Sequence, residues 1–183
     1  PGPDQVAPVR RDLEVQVGSA RLTAKGRLAD ELNFDWQLEA ADLNDLLPQL
    51  EGTLKADGDI TGPLQTPRLA VRVNGSALQY AAVQAGAIQA DIALDLQQHA
   101  PSSLDVQVNE LQLPGFPAQT LSLKGQGSLS EHRLTLTGEG TGQSLSASLT
   151  AGYTDKGWAG TLNQLQLDNA QLGQWQLAQS ADF

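Results

Sequence analysis

From Asp12 onward the chain repeats one period: an apolar residue at every second position, with a polar one between. In "LNFDWQLEA", Leu32, Phe34, Trp36 and Leu38 alternate with Asn33, Asp35, Gln37 and Glu39. Successive side chains of a strand point to opposite faces, so a strict period of two demands strands with one apolar and one wet face. A helix built on this sequence would scatter its apolar residues around the whole cylinder. The same pattern runs through Leu13, Val15 and Val17; through Leu22, Ala24 and Leu28; and through Leu54, Ala56, Gly58 and Ile60. It continues in Leu69, Val71 and Val73, in Ile88, Ala90, Ile92, Leu94 and Leu96, and in Leu104, Val106 and Val108. Further on come Leu121 and Leu123, Leu134 and Leu136, Leu145, Ala147 and Leu149, then Leu162, Leu165 and Leu167, and finally Trp175 and Leu177. This makes the chain all-β: roughly twelve strands of about six to ten residues, joined by short Gly, Ser, Asn or Asp turns.

Three places interrupt the alternation. At Glu110 the pattern slips by one before Leu111 and Leu113, which predicts a bulge or a bend. In "ADLNDLLPQLEG", Asp42 caps one short helix near 43–50 carrying Leu43, Leu46, Leu47 and Leu50, limited to about two turns by Pro48. Residues 1–183 read as a single segment, and any internal boundary falls at 42–52. In "DGDITGPLQTPRLAVRV", Gly62-Pro63 ends one strand because Pro has no ladder N–H, and Thr66-Pro67 sets the chain extended again before Leu69. That stretch reads as a reversal, with Asp57 and Asp59 on the wet face rather than in a calcium loop. "LTAKGRL", "LKADGDITG" and "LSLKGQGSL" resemble one another, as hairpin repeats would, although Leu-rich antiparallel strands also generate such likeness by chance.

The chemistry of sites is mostly negative. Eleven Lys and Arg against 21 Asp and Glu give a net charge of −10, which opposes nucleic acid and an anionic bilayer surface. Cysteine is absent, and His99 and His132, read as solvated loop residues, have no second ligand at metal spacing. No helix follows the glycines at 125–127 or 138–142 to hold a phosphate, so they read as points of twist or bend. No serine has an acid and histidine arrangement to activate it. No catalytic residue, cofactor or metal is expected, and the chain is not read as an enzyme. Methionine is absent even at position 1, no apolar run approaches the ~18 residues of a spanning helix, and no signal peptide is present. The chain is expected to be a piece of something longer.

What remains is the apolar face. Twelve strands at ~4.8 Å and eight residues at ~3.3 Å give a sheet of roughly 55–60 Å by 26 Å. Such a face must pack on a second sheet, curl on itself or hold an apolar ligand. Aromatics are only 4% of the residues, few to fill a sandwich, and three Trp and two Tyr cannot supply the girdles of a membrane barrel. A groove of branched aliphatics suits acyl chains, and the pattern alone leaves the sandwich open.

Several segments in order resemble one family. They are the Leu-Leu-Pro segment ahead of Gly52, the Gly-x-Ile-x-Gly-Pro-x-x-x-Pro-x-Leu hinge, the "EHRLTL" strand, and the closing Trp-x-Gly-x-Leu and Gly-x-Trp-x-Leu elements. Between Leu38 and Leu177 the chain resembles the TamB family of Gram-negative periplasmic proteins, within the AsmA-like group; residues 1–37 match only in being strand-like. The resemblance implies a long, curled, mostly antiparallel sheet forming an open hydrophobic groove of the β-taco type. It implies a periplasmic location, an inner-membrane anchor elsewhere in the protein, and phospholipid transport between the two membranes. It also implies work with an Omp85-class outer-membrane barrel (TamA-like) in outer-membrane protein assembly, through parts not carried onto these residues.

The first expectation is therefore an internal segment of a conduit for phospholipid acyl chains. Its lining would be Leu54, Ile60, Leu69, Val71, Val73, Ile88, Ile92, Leu94, Leu96, Leu104, Val106, Val108, Leu121, Leu123, Leu134, Leu136, Leu145 and Leu149. The alternative is a chaperone-like scaffold of the translocation and assembly module, presenting a sheet edge or the groove to unfolded outer-membrane strands. A third reading is a passive spacer with a self-filled core. Unpaired sheet edges in such a piece also invite self-association.

Overall fold

The computed structural model describes residues 9–28, 31–97, 99–114, 116–154, 157–170 and 173–183; the side chains of Val9, Arg10, Arg11, Leu28, Phe116 and Pro117 lie outside those described. The strands are β1 (Val9–Val17), β2 (Ala20–Leu28), β3 (Glu31–Ala40), β4 (Leu50–Pro63), β5 (Arg68–Tyr80), β6 (Val83–Asp95) and β7 (Ser102–Leu113). They continue as β8 (Phe116–Gly127), β9 (His132–Gly140), β10 (Gln143–Thr154), β11 (Gly157–Asn169), β12 (Gly173–Gln176) and β13 (Ala181–Asp182). All belong to one antiparallel sheet whose order from β1 to β12 is the order of the sequence, with β13 also pairing with β11. The sheet does not close into a barrel. Every connection along β1–β12 is that of a meander, so each strand is held by its neighbours in the chain.

Most strands exceed the expected length, β4 reaching 14 residues and β5, β6 and β11 reaching 13. Glycines that read as points of twist or bend lie inside strands. Gly125 and Gly138 sit opposite Leu104, Leu134 and Leu121, whose side chains fold over the space a Cβ would need. The "GPLQTP" stretch is a reversal as read: β4 ends at Pro63, the Thr66 N–H donates to the Pro63 carbonyl at 3.2 Å, and β5 begins at Arg68.

A single layer leaves much surface in water. The chain exposes 12352 Å², against ~8,500 Å² expected of a compact protein of its 19.3 kDa. The sandwich is thereby excluded: among the described residues no second sheet covers the first. Among the described residues no large side chain is fully buried. The most enclosed cluster is small, Ala20, Ala40 and Leu43 with Leu50, Leu54 and Leu78 packed against it.

Leu43 enters that cluster from a single 3-10 turn, Leu43–Asp45, which corrects the expected two-turn helix over 43–50. Asp42 caps the turn as read, accepting from the Asn44 N–H at 2.9 Å. The helix stops because Pro48 disfavours a helical residue before it and brings no N–H of its own. Gln49 then takes φ 74, and Leu50 is already in β4. Leu46 and Leu47 remain exposed. The turn is fastened to the β1–β2 hairpin: the Ser19 N–H donates to the Asp45 carboxylate at 2.6 Å and Ser19 Oγ accepts from the Asp42 N–H at 3.0 Å.

A line of unusual backbone crosses the strands near this end of the sheet. Gly52 has φ 113 at a register shift between Glu51 and Thr53, Ala77 opposite it has φ 51, and Glu110 has φ 54. The pairs Gln84↔Gln112 and Ala87↔Asn109 bracket Glu110 beside Gly86 without any change of register. The slip at Glu110 is therefore a bend of the strand, not a bulge. It creases β4, β5 and β7 along one line and turns Leu111 and Ala118 into buried positions. A non-glycine residue in the left-handed region costs ~1–2 kcal/mol. Hence Ala77→Gly should leave stability within ~1 kcal/mol of the parent, whereas Ala77→Val should lower it by ~1–3 kcal/mol in urea unfolding. Equal loss from both would show that the crease does not depend on this backbone conformation.

Two carboxylates tie loops to the sheet ends. The Ser19 backbone N–H holds Asp45 below the usual carboxylate range. Asp95 is held low chiefly by the Gln97 N–H at 3.0 Å, with Arg68 Nε at 2.7 Å also favouring its charge and desolvation opposing. Depressed folded values contribute stability that is complete above the ordinary carboxylate pKa of about 3.9 and lost as pH falls through the folded values. The melting temperature should therefore drop below about pH 4. A variant with Asp45→Asn and Asp95→Asn should melt lower at pH 7 and show a flatter acid limb.

Candidate functional site: an apolar face with one polar border

Register decides which alternating residues meet. One row across the sheet runs Phe34, Ile60, Leu69, Leu94. The next runs Trp36, Gly58, Val71, Ile92, Leu104, Gly125, Leu134, Leu149. A third runs Leu38, Ala56, Val73, Ala90, Val106, Leu123, Leu136, Ala147 and on to Leu165. A fourth runs Ala40, Leu54, Gly75, Ile88, Val108, Leu121, Gly138, Leu145, Leu167 and Trp175. All the nominated residues except Leu96 stand in these rows on one face. Leu96 lies beyond the end of β6, 40% exposed, with its N–H donated to the Pro67 carbonyl at 3.2 Å. That bond continues the β5–β6 ladder one step past its last pair, Arg68↔Asp95.

The face stays continuous where the sequence spacing breaks. Leu162 and Leu165 are an odd number apart, yet both face the apolar side. The register shifts by one between Ser148 and Leu149, leaving Asn163 as the extra residue on β11. Asn163 Nδ2 donates to Thr150 Oγ1 at 2.9 Å, which satisfies its amide on the polar side. At one end of the face His132 and Tyr153 both meet Trp158 edge to face, with ring centroids 5.5 Å apart in each pair. His132 thus opens β9 and packs against a ring instead of standing in a solvated loop. His99, outside the strands as read, pairs its Nδ1 with Ser130 Oγ at 2.9 Å.

The opposite face is a row of charges. Arg72 approaches Asp57 at 3.5 Å and Asp91 at 3.9 Å, and Lys124 approaches Asp105 at 3.6 Å. Asp57 and Asp59 are on this side, as expected. A hollow of about 750 Å³ lies mainly over this charged side between β2 and β8, with Val71, Ile92 and Leu104 at its border. A twisted sheet is a saddle, so each of its faces is concave along one diagonal. The hollow's cations, Lys25, Arg72 and Lys124, stand among the aspartates Asp35, Asp57, Asp59, Asp91 and Asp105, so its lining is acidic and partly neutralised. Exposed pairs of this kind contribute only ~0–1 kcal/mol each and chiefly keep this side wet. Among the described residues no group of His, Cys, Asp and Glu is arranged to hold a metal ion.

Sequence reading missed the border of the apolar face. One step past the fourth row, the positions of the same parity are Ala77, Gly86, Glu110, Gln119, Gly140, Gln143 and Asn169. Here the face stops being aliphatic and becomes a strip of small residues, carboxamides and one carboxylate. Gln143 and Asn169 are buried, with Asn169 Nδ2 donating to Gln143 Oε1 at 2.9 Å. A second hollow of about 520 Å³ opens on this strip, lined by Glu110, Leu111, Gln112, Ala118, Gln119 and Thr141. The signal was present: just beyond the last aliphatic row a polar residue takes the apolar parity in β7, β8, β10 and β11, and a small one in β5, β6 and β9. It becomes visible only when the strands are aligned in register.

Chemically, the arrangement offers a broad aliphatic surface with no directional polar group inside it, bounded along one side by donors, acceptors and a carboxylate. The model of the family described as the TamB N-terminal domain matches residues 4–183. The chain is 24% identical over 160 residues to the translocation and assembly module subunit TamB of Haemophilus influenzae. That alignment covers 86% of this chain and 12% of the relative, so the chain spans about an eighth of the relative's length. No solved structure matches it. Matched over nearly its whole length, the chain belongs to the TamB family.

Proposed function

We propose that this chain is a segment of a periplasmic conduit for phospholipid acyl chains passing between the inner and outer membranes, and that it is not an enzyme. The observation that carries the reading is the set of aliphatic rows running unbroken across the sheet with no second layer over them. Acyl chains need apolar area and no directional contact, and this face supplies the first without the second. Among the nominated residues of these rows Leu94 is 40% exposed and the others are half-buried, so each still shows apolar surface to water. Burying such a side chain is worth ~1.5–3 kcal/mol, so an apolar guest that covers several rows gains affinity from area alone. In this reading the inner-membrane anchor and the Omp85-class barrel contact belong to other parts of the protein. A conduit needs only continuity from one segment to the next.

A second reading rests on a different feature. β1 is an edge strand whose Leu13, Val15 and Val17 are exposed, and an unpaired edge can add a strand from an unfolded outer-membrane polypeptide. The related protein's name, a translocation and assembly module subunit, accords with that use. The same edge would serve self-association of the chain.

The two readings separate by mutation. Lipid photocrosslinkers at Ile92 or Val106 should capture phospholipid, and native mass spectrometry of detergent-free material should show lipid bound. A buried carboxylate is strongly unfavourable in hydrocarbon, so Leu123→Asp should cut capture by about tenfold or more, and the more exposed Leu94→Asp should do so with the least effect on folding. Gln16→Pro, which removes an N–H facing the open edge because the hydrogen-bonded pairs of this hairpin are Val17↔Ala20 and Val15↔Leu22, should leave lipid capture intact. Lipid capture indifferent to both aspartates, with client polypeptide binding lost in Gln16→Pro, would replace the conduit by the scaffold.

A further inference from the structure

The polar border suggests which lipids the face accepts. Glu110 follows Val108 and Asn109 in β7 and by alternation shares the side of Val108, yet it carries a carboxylate. The bend at φ 54 holds it there, and its side chain lies across Gly86, in space that any Cβ on that residue would occupy. Among the described residues no cation is paired with it, and no Lys or Arg lines the hollow it borders. Its lining includes Leu111 and Ala118, only 7% and 4% exposed. It adds the carboxamides of Gln112 and Gln119 and the hydroxyl of Thr141; Gln119 Nε2 donates to Thr141 Oγ1 at 3.5 Å, which leaves the second amide hydrogen and the hydroxyl proton for a ligand. About 520 Å³ falls within the ~300–1,000 Å³ of small-ligand sites.

A ligand suited to these groups has a cation for the carboxylate, an oxyanion that accepts from amide and hydroxyl donors, and an apolar tail continuing over Val108 and Leu121. We infer that this hollow is a headgroup site for phospholipids bearing a primary ammonium, with the ammonium on Glu110, the phosphate on the Gln112, Gln119 and Thr141 donors, and the acyl chains on the aliphatic rows. This rests on the conduit reading and adds selectivity to it. A purely anionic headgroup would bring its phosphate to the same donors with nothing to offset Glu110, and like charges at that distance repel.

The test uses the full-length protein with a photocrosslinker at Val108. It is mixed with vesicles of equal phosphatidylethanolamine and phosphatidylglycerol, and the captured headgroups are quantified by mass spectrometry. The unsubstituted Glu110 protein should favour phosphatidylethanolamine about threefold, the size of a partly exposed ion pair. That preference should weaken as salt rises. Glu110→Gln, which keeps the shape and hydrogen-bonding length, should bring the ratio to about one with an unchanged thermal melt, and Glu110→Lys should invert it. A ratio unmoved by Glu110→Gln overturns the headgroup site, as does capture without headgroup bias, and either leaves the conduit standing. No lipid of either kind captured at Val108, Ile92 or Val106 overturns both.

Discussion

The backbone ladder between sequence neighbours is the interaction on which everything else in this molecule depends. With one sheet and no second layer, no packed interior holds distant parts of the chain together. Each strand's N–H and C=O groups are satisfied by the strand before and the strand after it. Stability therefore accumulates along the sheet, nearly as in a repeat protein, where each unit contacts only its neighbours. The local 3-10 turn and its small cluster around Leu43 close one end of a hairpin; they do not form a core for the whole.

That constraint forces the functional question. A ladder can be extended indefinitely, but it leaves both faces of every strand to the surroundings. On one face Asp57, Arg72, Asp91, Asp105 and Lys124 meet water with alternating charge, and the cost of exposure vanishes. On the other face the register stacks Leu, Val, Ile and Ala in rows, and exposure is expensive. Among its described residues this chain has no second sheet as cover, and the proposal of acyl chains in that place follows from it. The crease through Gly52, Ala77 and Glu110 marks where the aliphatic rows give way to the polar border. The same bend thus ends the apolar surface and presents the groups that could read a headgroup.

Much of this was legible in the residues. Period-two alternation placed the strands, Gly62-Pro63 and Thr66-Pro67 placed a reversal, and the sides of Asp57 and Asp59 were read correctly, because these effects act over a few residues of chain. The helix over 43–50 failed where Pro48 and the pull of Leu50 into β4 outweighed the spacing of the leucines. Leu96 follows the last pair of β6, at a strand end that alternation alone does not mark. Glu110 showed only as a slip in one strand, since its meaning depends on Gly86 and Gln119 beside it.

The amino-acid sequence by itself determined that the chain is strands with one dry and one wet face and where many of them turn, since side-chain alternation and the chemistry of Pro and Gly are local. Only the tertiary structure decided that the strands form one uncovered layer in meander order, that their aliphatic residues align in continuous rows, and that a polar strip borders them. Pairing partners, register and the presence or absence of a covering layer are relations between segments, and no single segment carries them.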